Sequence, residues 1–114
     1  MAEYGSVKAA LHTLTNDMAN YLAGDKILVN AVCLGPTKGK LWEEPSGLGD
    51  QLGGSLGTLG PEAIDAFAKQ NTPFGHYGDP EDVSAWVAYL APPHGKFITG
   101  QAINVDGGMV KTLI

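Results

Sequence analysis

The 114-residue sequence has no basic run or stripe, and its formal net charge is −5. A surface that neutralises phosphates needs clustered cations, so nucleic acid is excluded as a partner. An anionic membrane surface likewise finds no cationic counterpart. One cysteine, Cys33, excludes an internal disulfide framework and fits a reducing, cytoplasmic compartment. The longest apolar run, Ile27 to Leu34, is interrupted by Asn30 and is far too short to cross a bilayer. No basic region followed by an apolar one opens the chain, so no signal peptide is expected. His12, His76 and His94 lack the spacing of metal ligands, and no metal site is expected.

What is present reads as a small α/β unit. Val7, Leu11, Leu14, Met18 and Leu22 recur in steps of three and four, which predicts a helix from Tyr4 to about Ala23. Gly24-Asp25 is expected to stop it. Ile27 to Cys33 is short, continuous and β-branched, as for a strand buried on both faces and ended by Gly35-Pro36. From Thr37 to Gly60 no periodicity persists and glycines crowd the chain, which predicts a long loop. Pro61 is expected at the first position of a second helix carrying Ile64, Phe67 and Ala68. Asp79-Pro80-Glu81-Asp82 predicts a third helix with Asp79 as its cap. Val83, Trp86, Val87 and Leu90 form its stripe, placing Trp86 at a core position. Gln101 to Val105 reads as a second strand, followed by a turn at Asp106-Gly107-Gly108. Two strands joined by helices imply a right-handed parallel crossover. About two strands and three helices cannot cover both faces and both edges of a sheet, so the chain reads as the end of a larger one.

The strongest chemical signal is Tyr4 and Lys8, one helical turn apart on one face. A phenol alone is a poor acid or base at neutral pH, and a nearby ammonium stabilises the phenolate. Such a tyrosine can exchange a proton with a substrate hydroxyl or carbonyl. A surface Tyr and Lys can also fall at this spacing by chance. Gly53-Gly-Ser-Leu-Gly57-Thr-Leu-Gly60 superficially looks like a phosphate loop, but it follows no predicted strand and reads as a flexible lid. Cys33 reads as an inert core thiol, Asn30 as a structural hydrogen-bonding residue and Asp106 as a turn former.

Tyr4-Gly-Ser-Val-Lys8-Ala-Ala-Leu11 resembles the catalytic helix of the short-chain dehydrogenase/reductase family. Leu28 to Thr37 resembles that family's strand and proline-glycine loop beside the nicotinamide. Gly78 to Val83 resembles its penultimate helix start, and Ile98 to Gly108 its last strand and turn. Four matches in order and in register are far more specific than any one. The resemblance implies the C-terminal portion of a single NAD(P)-binding domain over residues 1–114, part of a Rossmann-like, doubly wound parallel sheet. It implies Tyr4 as the proton donor or acceptor, and Lys8 as the partner of the nicotinamide ribose that stabilises the Tyr4 phenolate. Gly35, Pro36 and Thr37 would lie against the nicotinamide of NAD or NADP, with the backbone near Thr37 meeting its carboxamide. Residues 38–60 would form the substrate lid, with Leu41 and Trp42 as its apolar contacts to a small carbonyl or alcohol substrate. A homo-oligomer is implied for the full-length form. Two local departures are Leu34, where the family usually has proline, and Gly39, where it often has a hydroxyl residue.

The family's glycine-rich pyrophosphate turn and its catalytic serine precede the tyrosine, and neither is in these 114 residues. The isolated chain is therefore expected to have no dehydrogenase activity of its own. Two other readings stay open: a non-catalytic module that docks on a full-length relative, and a remnant that does not fold alone because its sheet edge and apolar surface are open.

Overall fold

The computed structural model describes residues 2–58, 60 and 62–111. The helices are α1 (Ala2–Leu22), α2 (Lys40–Glu43), α3 (Leu48–Leu56), α4 (Glu62–Asn71) and α5 (Pro80–Leu90). The strands are β1 (Ala31–Leu34) and β2 (Ala102–Val105), paired in parallel as a two-stranded sheet. The chain forms two compact units. One holds the residues up to Cys33 together with Ala85–Ile103, and the other holds Leu34–Ser84 together with the residues from Asn104 on.

In the first unit, α1 follows the predicted stripe, but the stripe is exposed: Val7, Leu11, Leu14 and Met18 all keep more than two-fifths of their surface. Only Ala19 among the described apolar residues of this unit is buried. A short 3-10 turn, Ala23–Asp25, closes the helix, and the left-handed residue is Lys26 (φ 59°) rather than Gly24. The bonds Lys26 N–H to the Ala23 carbonyl (3.0 Å) and Ile27 N–H to the Leu22 carbonyl (3.3 Å) force that conformation.

The strand expected over Ile27 to Cys33 starts four residues later, and it is only half-buried. Side chains displace the regular ladder before it. Val29 N–H donates to Thr99 Oγ1 (3.0 Å), Asn30 Nδ2 donates to the Ile98 carbonyl (2.8 Å), and Gln101 N–H donates to Asn30 Oδ1 (3.1 Å). Asn30 is thus the structural residue expected. Trp86 is not in a core. It is 40% exposed and stands edge-on to Tyr89; no described residue of α5 is fully buried, and of its stripe Val83 and Leu90 are half-buried while Trp86 and Val87 are exposed.

The second unit contains a real core of Trp42, Ala63, Ile64, Ala68 and Thr72. Helices α2 and α3 occupy the stretch expected to be a loop, and α3 packs on both α2 and α4. Four residues are too few for α2 to show a period, and α3 is hidden by its glycines, because glycine is a poor helix former. Packing requires it here: a Cβ on Gly49 would collide with the Trp42 and Gly60 carbonyl oxygens. Pro61 lies outside the described residues, and α4 is described from Glu62. At the start of α5 the capping side chain is Asp82, whose Oδ2 accepts the Asp79 N–H (2.9 Å), rather than Asp79 itself. That is one half of a capping box. Asp106 forms the expected turn, accepting the N–H groups of Gly108 and Val110 (both 2.9 Å).

Candidate functional site

Tyr4 and Lys8 share one face of α1, and both are exposed. The Lys8 ammonium lies over the Tyr4 ring, 5.4 Å from its centroid. The ring's negative face attracts the cation, an interaction worth about 0.5–1 kcal/mol at an exposed site. It offsets the mild penalty on a cation near the positive end of a helix. Lys8 is therefore held over the Tyr4 ring, and the Tyr4 side chain stays exposed. In the same unit, His12 Nε2 lies 3.3 Å from Cys33 Sγ, so the half-buried thiol has a side-chain partner that helix and strand patterns did not show.

Gly35, Pro36 and Thr37 belong to the second unit and follow β1 directly. Gly35 N–H donates to the Val105 carbonyl (3.0 Å). A Cβ there would stand 2.6 Å from Asp106 Cα, so only glycine permits this approach of the two chain segments. Pro36 is buried. Thr37 Oγ1 donates to the Gly35 carbonyl (3.2 Å), which holds the turn closed.

Thr37 also forms an isolated parallel bridge with Gly78. Gly78 N–H donates to the Pro36 carbonyl (2.9 Å), and Lys38 N–H donates to the Gly78 carbonyl (3.0 Å). This pairing uses the flanking groups, so the Thr37 N–H and C=O point to the opposite edge. Neither has a hydrogen-bond partner among the described residues. One free donor beside one free acceptor matches a primary carboxamide, which accepts through its oxygen and donates through its NH2. The donor set therefore fits the carboxamide of a nicotinamide. Sequence patterns assigned Gly78 only to a helix start; its pairing partner lies about forty residues away, and no local signal marks it.

The two residues expected to touch substrate differ in exposure. Leu41 is 66% exposed, whereas Trp42 is 6% exposed and packs against Phe67 with ring centroids 5.4 Å apart. Among the described residues no group of three or more His, Cys, Asp or Glu could hold a metal ion. No described helix is long and apolar enough to cross a membrane.

A family model described as enoyl-(acyl carrier protein) reductase matches residues 1–110. The chain is 38% identical over 109 residues to 2-(S)-hydroxypropyl-CoM dehydrogenase 3 of Xanthobacter autotrophicus, covering 96% of this chain and 39% of that protein. It superposes with a TM-score of 0.79 on the crystal structure of L-sorbose reductase from Gluconobacter frateurii complexed with NADPH and L-sorbose. The identity there is 26%, covering 96% of this chain and 41% of that one. A mutant short-chain dehydrogenase/reductase from Serratia marcescens superposes with a TM-score of 0.70 at 35% identity, covering 95% of this chain and 38% of that one. The chain thus spans about two-fifths of the length of the relatives it matches. The parallel α/β architecture is of the Rossmann-like type that the motifs implied. With the family model covering nearly every residue, this chain belongs to the short-chain dehydrogenase/reductase family.

Proposed function

We propose that this chain supplies the catalytic and nicotinamide-facing portion of an NAD(P)-dependent oxidoreductase acting on a small carbonyl or alcohol substrate. The observation that carries the reading is the Tyr4–Lys8 pair on α1, with the ammonium at 5.4 Å from the ring. In the reductive direction the Tyr4 hydroxyl donates its proton to the carbonyl oxygen, and the Lys8 ammonium stabilises the phenolate left behind. Lys8 would also donate to the nicotinamide ribose. The backbone of Thr37 would hold the carboxamide, and Gly35 and Pro36 would lie against the ring. The nicotinamide, when bound, supplies or takes up the hydride at the substrate carbon. Oxidation runs the same proton path in reverse. Residues 38–60 serve as the substrate lid, with Leu41 as its exposed apolar side chain. The full-length form is a cytoplasmic homo-oligomer in this reading.

The 114 residues alone have no turnover, because the pyrophosphate turn and the catalytic serine are not among them. Joined to the dinucleotide-binding portion of a family member, the chain is expected to oxidise NADPH or NADH in the presence of a carbonyl substrate. Tyr4→Phe in that protein lowers kcat by about 10²-fold or more. Turnover by the isolated chain, or full activity in Tyr4→Phe, contradicts the reading.

A second reading is favoured by one observation: Val7, Leu11, Leu14 and Met18 stand exposed along one face of α1. Contiguous apolar surface of this kind marks a protein partner. As a docking module the chain would bind a full-length relative and co-elute with it on a sizing column. Separate elution at micromolar concentration removes this alternative.

A further inference from the structure

One carboxylate bridges the turns on either side of α3. Asp50 sits in the first turn of α3, where an acid suits the positive end of the helix dipole. Its Oδ2 accepts the Ser46 N–H (2.8 Å), and its Oδ1 accepts the Gly60 N–H (3.1 Å). Ser46 is the turn residue before α3, held at φ 63°, a left-handed conformation that serine adopts reluctantly. Gly60 is the turn residue before α4, and its carbonyl accepts the Ala63 N–H (3.1 Å). One side chain thus ties together the turns that start two helices. Both bonds are charge-assisted, the stronger kind.

Around this clasp the backbones are in close contact. A Cβ on Gly47 would stand 2.5 Å from the Leu41 carbonyl oxygen. The Trp42 ring is buried on Phe67 of α4. Helices α2, α3 and α4 therefore form one body, with Trp42 as the anchor and Leu41 as the side chain presented outward.

We infer that Asp50 is a positioning residue for the substrate lid. It holds α2 so that Leu41 contacts the apolar part of a substrate, while Trp42 contributes only anchorage. This assignment rests on the oxidoreductase reading for the meaning of the lid, but the clasp itself can be tested without it.

Asp50→Asn keeps the size but offers one acceptor oxygen and an NH2 group to two N–H donors, so one partner is lost. In the 114-residue chain, on a Trp86→Phe background that leaves Trp42 as the sole tryptophan, two changes are expected. Amide exchange at Ser46 or Gly60 quickens about tenfold or more, as for loss of a bond to a charged group. Trp42 emission also shifts to the red. Glu62→Gln removes a nearby exposed acid whose partner is the Thr58 hydroxyl (3.2 Å), and it should leave both readouts unchanged. In the joined enzyme, Asp50→Asn raises the substrate KM and spares kcat. Unchanged exchange at both amides overturns the inference, as does an equal loss of protection along α1, which would signal general destabilisation. The exchange and fluorescence arms need no cofactor or turnover, so their failure is separable from failure of the oxidoreductase reading.

Discussion

Trp42, Ala63, Ile64, Ala68 and Thr72 are buried and belong to one unit; the other unit has the longest helix, yet among its described apolar residues only Ala19 is buried. The two regions are held by different forces. Around α3 and α4 the side chains exclude water, and the hydrophobic effect does most of the work. Around α1 and β1 the specific ties are polar: Asn30 to Ile98 and Gln101, and Thr99 to Val29. Each such bond nets only about 1 kcal/mol because water competes for the same groups. The proposed proton donor therefore stands on the region with little core, and the proposed lid on the region that has one. A helix whose apolar stripe stays open is a helix that needs a partner surface to reach full stability.

The contrast is broken most directly at Trp42. Trp42→Ala empties the space against Phe67 and should cost about 3–5 kcal/mol locally, as large aromatic truncations in cores do. Amide exchange along α4 reports it, with α1 unchanged. If the α1 amides quicken by the same factor, the two regions unfold as one and the distinction fails.

Asn30→Leu probes the other kind of glue. It strands the Ile98 carbonyl and the Gln101 N–H, a loss of about 1–3 kcal/mol where such groups are shielded from water. Faster exchange at Gln101, with α4 unaffected, is the expected outcome. An unchanged Gln101 amide would mean that water replaces the asparagine without cost, and that the polar ties contribute nothing.

Sequence patterns separate these regions only in part. The stripes of α1, α4 and α5 are strong at helical spacing, and all three helices are found. A stripe says which face seeks cover, not whether cover exists, which is why Trp86 looked like core and is 40% exposed. Helix α2 was illegible because four residues hold no period, and α3 because Gly49, Gly53 and Gly54 suppress its helical signal, although close backbone approach is what demands glycine at Gly49. The Tyr4–Lys8 spacing was readable because both residues lie on one turn. The Gly78 pairing with the Pro36–Lys38 strip and the Asp50 clasp were not, since each depends on chain segments brought together only by folding.

The sharpest test has the smallest effect. Val7 is 62% exposed on α1. Val7→Ala removes what little of the side chain is sheltered, but it also replaces a β-branched residue with the best helix former, a gain of about 0.5 kcal/mol. The two terms oppose each other, so α1 stability in the isolated chain should change by less than about 0.5 kcal/mol, as for most surface substitutions. Amide exchange in the second and third turns of α1 measures it. Against a partner that covers the stripe, the helix gain is already made and the lost contact is not repaid, so the same substitution should weaken binding by up to about tenfold, the equivalent of about 1.4 kcal/mol. A loss above 1 kcal/mol (about twice the surface norm) in the isolated chain would mean that the Val7 face is already packed, and the contrast between the two regions would not survive it.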